Sequence, residues 1–406
     1  MGSSRRDFLR AAGTAGAIGL ASFAGCVGTP GEDIGTITYG GLHPLSGPYG
    51  ALGKNQRAGA NLAVEHVSES DEFGFEMEAI HEDTQLDPAT GTRKAQKLVQ
   101  QDGTEFLVGG FSSSVALALN QFALDNEVIY SPIGVASAIT GKDCNQYVFR
   151  ASTGIAQAAH PLAAFAVNDL GSKVWFHIAD YSYGESVRQE MKSRMEKANA
   201  DFEEVGFSKS QLNTSNYNSF ITQIGNSDAE IVVLGMAGGD MINFIKQAHG
   251  QGLKEEVDIV ATTGTQLLPR AALGPAAYGV YGTVRYRQGL DNPENNRFVE
   301  DYRSRHDSVP DTVAATTYLS VKMVANGIEE TGSSDPTEVK EALPELKMDT
   351  ILGETYFRAC DHEAVNPVWM GRNVEPAEGE VADLEILKKV AGEDAIPPCS
   401  ESDCKM

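Results

Sequence analysis

Three consecutive serines, Ser112, Ser113 and Ser114, stand between an apolar run of strand length, Phe106 to Val108, and a helical stretch, Val115 to Leu124. At such a junction hydroxyls and unpaired backbone N–H groups converge on a carboxylate, and a serine there also serves as an ordinary helix N-cap. Tyr183 follows another strand-length run and offers ring area together with a hydroxyl. Ser46 and Tyr49 lie on the first strand-to-helix loop, at the mouth of the same kind of site. Covalent catalysis has weaker support. No Gly-x-Ser-x-Gly elbow surrounds Ser112 to Ser114, and there is no His-Glu-x-x-His helix. Asp361-His362-Glu363 is the one dense polar cluster, and it reads as a capped turn near a strand end rather than as an acid–base centre. An amide or ester hydrolase is therefore the weaker alternative to a binding protein, and no cofactor is expected.

Besides Cys26 the chain has Cys144, Cys360, Cys399 and Cys404, an even set that favours two disulfides in an oxidising compartment. Cys399 and Cys404 either close a small loop, or one of them staples the tail to Cys360; the spacing leaves all pairings open. Close cysteine pairs of the zinc-binding kind are missing, so no metal is expected.

The amino terminus bears on location. Arg5-Arg6-Asp7-Phe8-Leu9-Arg10 resembles a twin-arginine export signal, whose pathway carries folded proteins. The apolar run from Ala11 to Ala24 is shorter than the ~20 residues that span a bilayer. Small residues directly before Cys26 resemble a lipoprotein cleavage site, which makes residues 1–25 a removed signal and Cys26 the lipid-bearing terminus. Gly13, Gly16 and Gly19 loosely mimic a nucleotide loop, but no strand precedes them. The 32 basic and 56 acidic residues give a net charge of −24 over 406 residues. Such a surface repels nucleic acid and anionic lipid, and its dispersed acids suit a halophilic setting.

The elements that must position the serines and tyrosines alternate. After a linker, residues 26–33, strand runs (Ile34 to Gly41, Met77 to His81, Phe106 to Val108, Val128 to Ser131) take turns with helical stretches, one opened by Asp87-Pro88. The rhythm restarts after Phe149-Arg150 with strands at Lys173 to Ile178, Phe202 to Phe207, Ile231 to Leu234 and Val257 to Ala261. The pattern predicts an α/β fold of two doubly wound, Rossmann-like lobes. Residues 34–150 and 285–345 would form the first, 151–284 and 346–390 the second, and 391–406 a tail. Helices at Asn296 to His306, Thr312 to Ile328 and Thr337 to Leu343 would return to the first lobe. Strands near Glu354 to Phe357, Val368 to Gly371 and Leu384 to Leu387 would join the second. Three chain crossings then make a hinge.

Leu45-Ser46-Gly47-Pro48-Tyr49-Gly50, Glu82-Asp83, Gly109 to Ser114, Tyr130-Ser131-Pro132, Phe149-Arg150, Tyr183-Gly184-Glu185 and Gln247-Ala248 occur in one order along the chain. In that order and spacing they resemble the type I periplasmic solute-binding proteins of ABC transporters, in the branched-chain amino-acid-binding family. The resemblance implies a monomer whose lobes close on a small-molecule ligand and deliver it to a membrane permease; a receptor serving a separate sensor is the alternative role. It places Ser112, Ser113, Gly134, Val135, Ala136 and Tyr183 beside the ligand. Amino-acid binders of this family carry a threonine where this chain has Val135, a cleft tyrosine where it has Ala237, and a carboxylate for the ammonium group where it has Thr263. A buried ammonium without a carboxylate would cost several kcal/mol. Asp240 could replace that charge, although acids favour helix starts for dipole reasons alone. An organic acid, an amide or a modified amino acid is expected rather than a standard branched-chain amino acid.

Overall fold

The computed structural model describes residues 34–406. The twin-arginine segment, Cys26 and all of the linker lie outside the described residues. The chain enters as β1 (Thr36–His43), then α1 (Gly50–Glu69), β2 (Glu76–Asp83), α2 (Pro88–Gln100), β3 (Phe106–Gly109), α3 (Ser113–Asn126) and β4 (Ile129–Pro132). These strands pair in parallel in the order β2-β1-β3-β4. Helix α4 (Ile155–Phe165) opens the second lobe. It is followed by β5 (Lys173–Ala179), α5 (Ser182–Ala198), β6 (Glu203–Ser210), α6 (Asn218–Gly225), β7 (Ile231–Gly235), α7 (Gly238–Gly250), β8 (Asp258–Ala261), α8 (Leu267–Leu273) and β9 (Tyr281–Val284). Their order, β6-β5-β7-β8-β9, repeats the first lobe's. The order reverses between β1 and β3 and between β5 and β7, which opens a crevice beyond the carboxyl ends of both sheets. Central strands such as Ile231–Gly235 are buried at every residue, as parallel strands covered on both faces must be.

The chain then returns to the first lobe as α9 (Pro293–His306), α10 (Thr312–Thr331) and α11 (Pro336–Ala342). Asp87, Asn292 and Asp335 each accept a backbone N–H of the helix that follows, and proline opens all three helices. Phe298, Tyr302 and Tyr318 enter the first lobe's core.

One boundary differs. Residues 346 onward do not re-enter the second lobe directly, and Glu354 to Phe357 is not one of its strands. Instead β10 (Met348–Thr350) and β11 (Gly353–Thr355) form a separate hairpin, while Met348, Ile351 and Phe357 pack in the first core. The hairpin is short, and β10 packs against α9 and α10 of the first lobe, while the Phe357 ring just after it lies 5.4 Å from that of Phe149. The second lobe resumes at β12 (Val368–Val374) and β13 (Asp383–Val390), an antiparallel pair added beside β9.

The crossings are stitched together at the hinge. Arg150, fully buried, donates from Nη2 to Glu363 Oε2 at 2.7 Å and from Nη1 to the Ala136 carbonyl at 2.7 Å. Glu363 also accepts from Thr140 Oγ1 and the Gly154 N–H. Phe149 stacks on His362 at 4.0 Å, and Asp361 pairs with Arg358. The Asp361-His362-Glu363 cluster is thus a structural knot joining the first and third crossings.

A fourth crossing exists in the tail. From β13 the chain forms α12 (Gly392–Ala395), packed on α4 of the second lobe, and then runs to the first lobe. Disulfides Cys144–Cys404 and Cys360–Cys399 hold it there. The small Cys399–Cys404 loop is therefore not formed. The tail lies extended over the flank of the hinge, which separates these two cysteines and brings each to a different partner.

Two outcomes follow for stability. Glu363→Gln leaves the Arg150 charge buried without its counter-charge and is expected to lower unfolding free energy by about 3–5 kcal/mol, measured by urea denaturation. Replacing Cys144 and Cys404 by alanine opens a covalent loop spanning 260 residues and is expected to cost about 2–5 kcal/mol, read as a lower Tm.

Candidate functional site

A cavity of about 590 Å³ lies in the crevice between the lobes. Each strand-end loop of the first lobe reaches it: Tyr49 after β1, Leu86 after β2, Phe111 and Ser112 after β3, Ile133 and Val135 after β4. The second lobe answers with Tyr181 and Tyr183 after β5, Leu212 after β6, Ala237 and Gly238 after β7, and Thr263 and Leu268 after β8. Ser152, Thr153 and Arg285 come from the hinge. The lining is mainly apolar and aromatic with a few placed hydroxyls, the composition of a small-molecule site. A larger cavity of about 770 Å³, on the flank beneath the tail, is lined mostly by charged and polar side chains and reaches few strand ends.

The lobes touch across the site. The Tyr49 hydroxyl donates to the Ala237 carbonyl at 3.1 Å, and Ser114 Oγ lies 3.3 Å from Ser182 Oγ. Gly238 makes the first of these contacts possible: its φ is +55°, and a Cβ there would stand 2.5 Å from the Tyr49 ring. Burial pushes the Tyr49 and Tyr181 hydroxyls above their usual pKa, so both stay neutral donors.

The expected residues divide. Tyr49, Ser112, Ser113, Val135, Tyr183, Ala237 and Thr263 all line the cavity. Ser112 is the N-cap of α3, yet its side chain makes no capping bond. Ser113 accepts the Ala136 N–H, Tyr183 Oη lies 2.6 Å from Thr262 Oγ1, and Thr263 donates toward the Met236 carbonyl. Ser46, Gly134 and Ala136 do not reach it. Ser46 is exposed and bonds to the Asp83 carboxylate, which turns it away from the cleft. Gly134 is a packing position, where a Cβ would meet that of Ala116 at 2.8 Å. Ala136 is buried behind the site and gives its carbonyl to Arg150. Asp240 is also directed elsewhere: it accepts from the Tyr217 hydroxyl at 3.0 Å and the Asn213 N–H at 3.2 Å, and burial raises its pKa against their pull.

Arg285 is the cavity's unexpected member. It sits at the second crossing, one residue past β9, and 8% of its surface is exposed. Its position after a strand at a crossing is a signal that sequence reading could have used, since crossings form the floor of the cleft. Among the described residues it has no hydrogen bond or ion pair, and Nε and Nη2 are both buried without a partner. Desolvation lowers its pKa; Tyr183 opposes that, and the charge of Arg150 adds to it.

Residues 36–379 match the model of a family described as periplasmic binding proteins. The chain belongs to the periplasmic binding protein family. Relatives of this periplasmic binding protein include a leucine-, isoleucine-, valine-, threonine- and alanine-binding protein of Pseudomonas aeruginosa, 26% identical over 326 residues, 79% of this chain and 86% of that one. Among solved structures, the closed form of the leucine-, isoleucine-, valine-, threonine- and alanine-binding protein from Brucella ovis superposes with a TM-score of 0.81 at 21% identity, covering 91% of this chain and 98% of that chain. A solute-binding protein of an ABC transporter from R. palustris, in complex with 4-hydroxybenzoate, gives 0.79 at 22% identity, covering 88% and 97%. The last two likenesses establish the two-lobed fold.

Because Tyr49 rests on Gly238, a side chain there should hold the lobes of this periplasmic binding protein apart. Gly238→Val is expected to enlarge the radius of gyration of the solute-saturated protein in small-angle X-ray scattering, with little change in far-UV circular dichroism.

Proposed function

We propose that this protein is the solute-capturing component of an ABC importer, taking up a small organic solute that is amino acid-like, an amide or a carboxylate, and presenting it to a membrane permease. One observation carries the reading: both lobes send their strand-end loops into a single, largely apolar cavity, and Tyr49 bonds to Ala237 across it. Burial of the solute between the lobes would favour closure, and closure changes the outer surface that a permease can read. Turnover is not part of this reading. Among the described residues no Asp, Glu, His, Cys or Lys lines the cavity, so none there is placed as a base to activate Ser112.

Export and anchoring complete the proposal. The twin-arginine segment directs the chain out of the cytoplasm, and Cys26 carries lipid at the outer face of the membrane. The protein works there as a monomer, and its acidic surface suits concentrated salt.

Thermal unfolding against a panel of amino acids, amides and organic acids tests the reading. A captured solute at about 100 times its dissociation constant adds about 2.7 kcal/mol and raises Tm. Amide or ester hydrolysis that disappears in Ser112→Ala would replace capture by catalysis.

A further inference from the structure

Buried arginines in folded proteins are paired, because an uncompensated charge in a low-dielectric site costs several kcal/mol. Arg150 obeys this rule through Glu363. Arg285, its neighbour at the hinge, does not. Nine-tenths of its surface is covered, two of its three nitrogens are buried without acceptors among the described residues, and the Arg150 guanidinium repels it. Among the described residues, none that lines the cavity bordered by Arg285 is an aspartate or a glutamate, and Asp240, next to the lining residue Gly239, is held by Tyr217 and Asn213. The described lining of the cleft therefore carries one positive charge and no negative one.

Resting on the solute-capture reading above, we propose that Arg285 is the counter-charge for an anionic ligand. The captured solute is an organic carboxylate with an apolar or aromatic body and no α-ammonium group. Arginine suits this role because its planar donors match the two oxygens of a carboxylate. Tyr49, Phe111, Tyr181 and Tyr183 border the space left for the apolar body. Two features that separate this ligand from a zwitterionic amino acid are both present: a cation seeking an anion, and the lack of any carboxylate for an ammonium. Ser112, with no capping bond, faces the same cavity and can supply a neutral donor to a second oxygen.

Two matched trios of probes test this by calorimetry and thermal unfolding on the full chain. Hydrocinnamate, hydrocinnamamide and L-phenylalanine share one skeleton; isocaproate, isocaproamide and L-leucine share another. At least one carboxylate is expected to bind about ten- to hundredfold more tightly than its amide or its amino acid. Arg285→Gln is expected to remove that preference, Arg285→Lys to keep part of it, and Ser112→Ala to weaken all three members of a trio alike. Without solute, Arg285→Gln is expected to leave Tm unchanged or raise it, because the residue it removes has no partner to lose. Three results would overturn the proposal: no carboxylate binding at all, equal binding within each trio, or a ligand-free Arg285→Gln protein that unfolds well below the parent. Tight binding of an amide or an amino acid that is indifferent to Arg285 would remove the anion and leave solute capture standing. Failure of the whole organic panel would remove both.

Discussion

The two lobes of this protein depend on one buried ion pair. Arg150 on the first crossing and Glu363 on the third hold each other at 2.7 Å, and the Glu363 carboxylate also accepts from Thr140 and Gly154. An ion pair is a poor source of net stability when buried, since desolvation offsets much of the attraction. Its value here is geometric. Backbone bonds from the Arg150 N–H to the His362 carbonyl and from the Ala364 N–H to the Arg150 carbonyl lie in register with it. The crossings are thereby fixed relative to one another, and the lobes have a common axis from which the strand-end loops can meet.

From that axis the contrast between two arginines becomes informative. Paired Arg150 makes the hinge; unpaired Arg285 leaves the cleft floor positive inside a chain whose net charge is −24. At low ionic strength the acidic surface would repel an approaching anion over a Debye length of about 30 Å at 0.01 M, which shrinks to about 3 Å at 1 M. A buried cation is screened far less than exposed acids are. Concentrated salt would therefore silence the surface repulsion while leaving the local attraction at Arg285 largely intact.

Most of the fold was legible in the sequence, because strand-helix alternation and the Asp-Pro start at residue 87 are local signals that tertiary packing did not override. The place of the hairpin at residues 348–355 was not legible, since its strands carry no periodicity that distinguishes one lobe from the other; contacts of β10 with α9 and α10 decide where it packs. Within the site, loop positions after strands were readable, and Tyr49, Ser112 and Tyr183 followed from them. Ser46 and Ala136 were not, because one residue along a loop reverses which way a side chain points. Arg285 was not legible for a different reason: a lone arginine after a strand looks like solvent-facing charge until burial and the lack of a partner among the described residues are known.

The tail alters what the hinge can do. Three crossings alone let a bilobed protein open as far as its backbone torsions allow. Here the chain leaves the second lobe at β13, packs α12 on α4, and is then fastened to Cys360 and Cys144. Between its second-lobe anchor at Ala395 and the disulfide at Cys399 lie only three residues, a span of roughly 14 Å when extended, which bounds the separation of those two points at about that value. The ion pair of Lys197 with Glu401 adds little to this, being exposed and screened. The bound, covalent at Cys399 and held by packing at α12, lies on the flank, away from the cavity, so it limits how far the cleft swings without touching the residues that select what enters it.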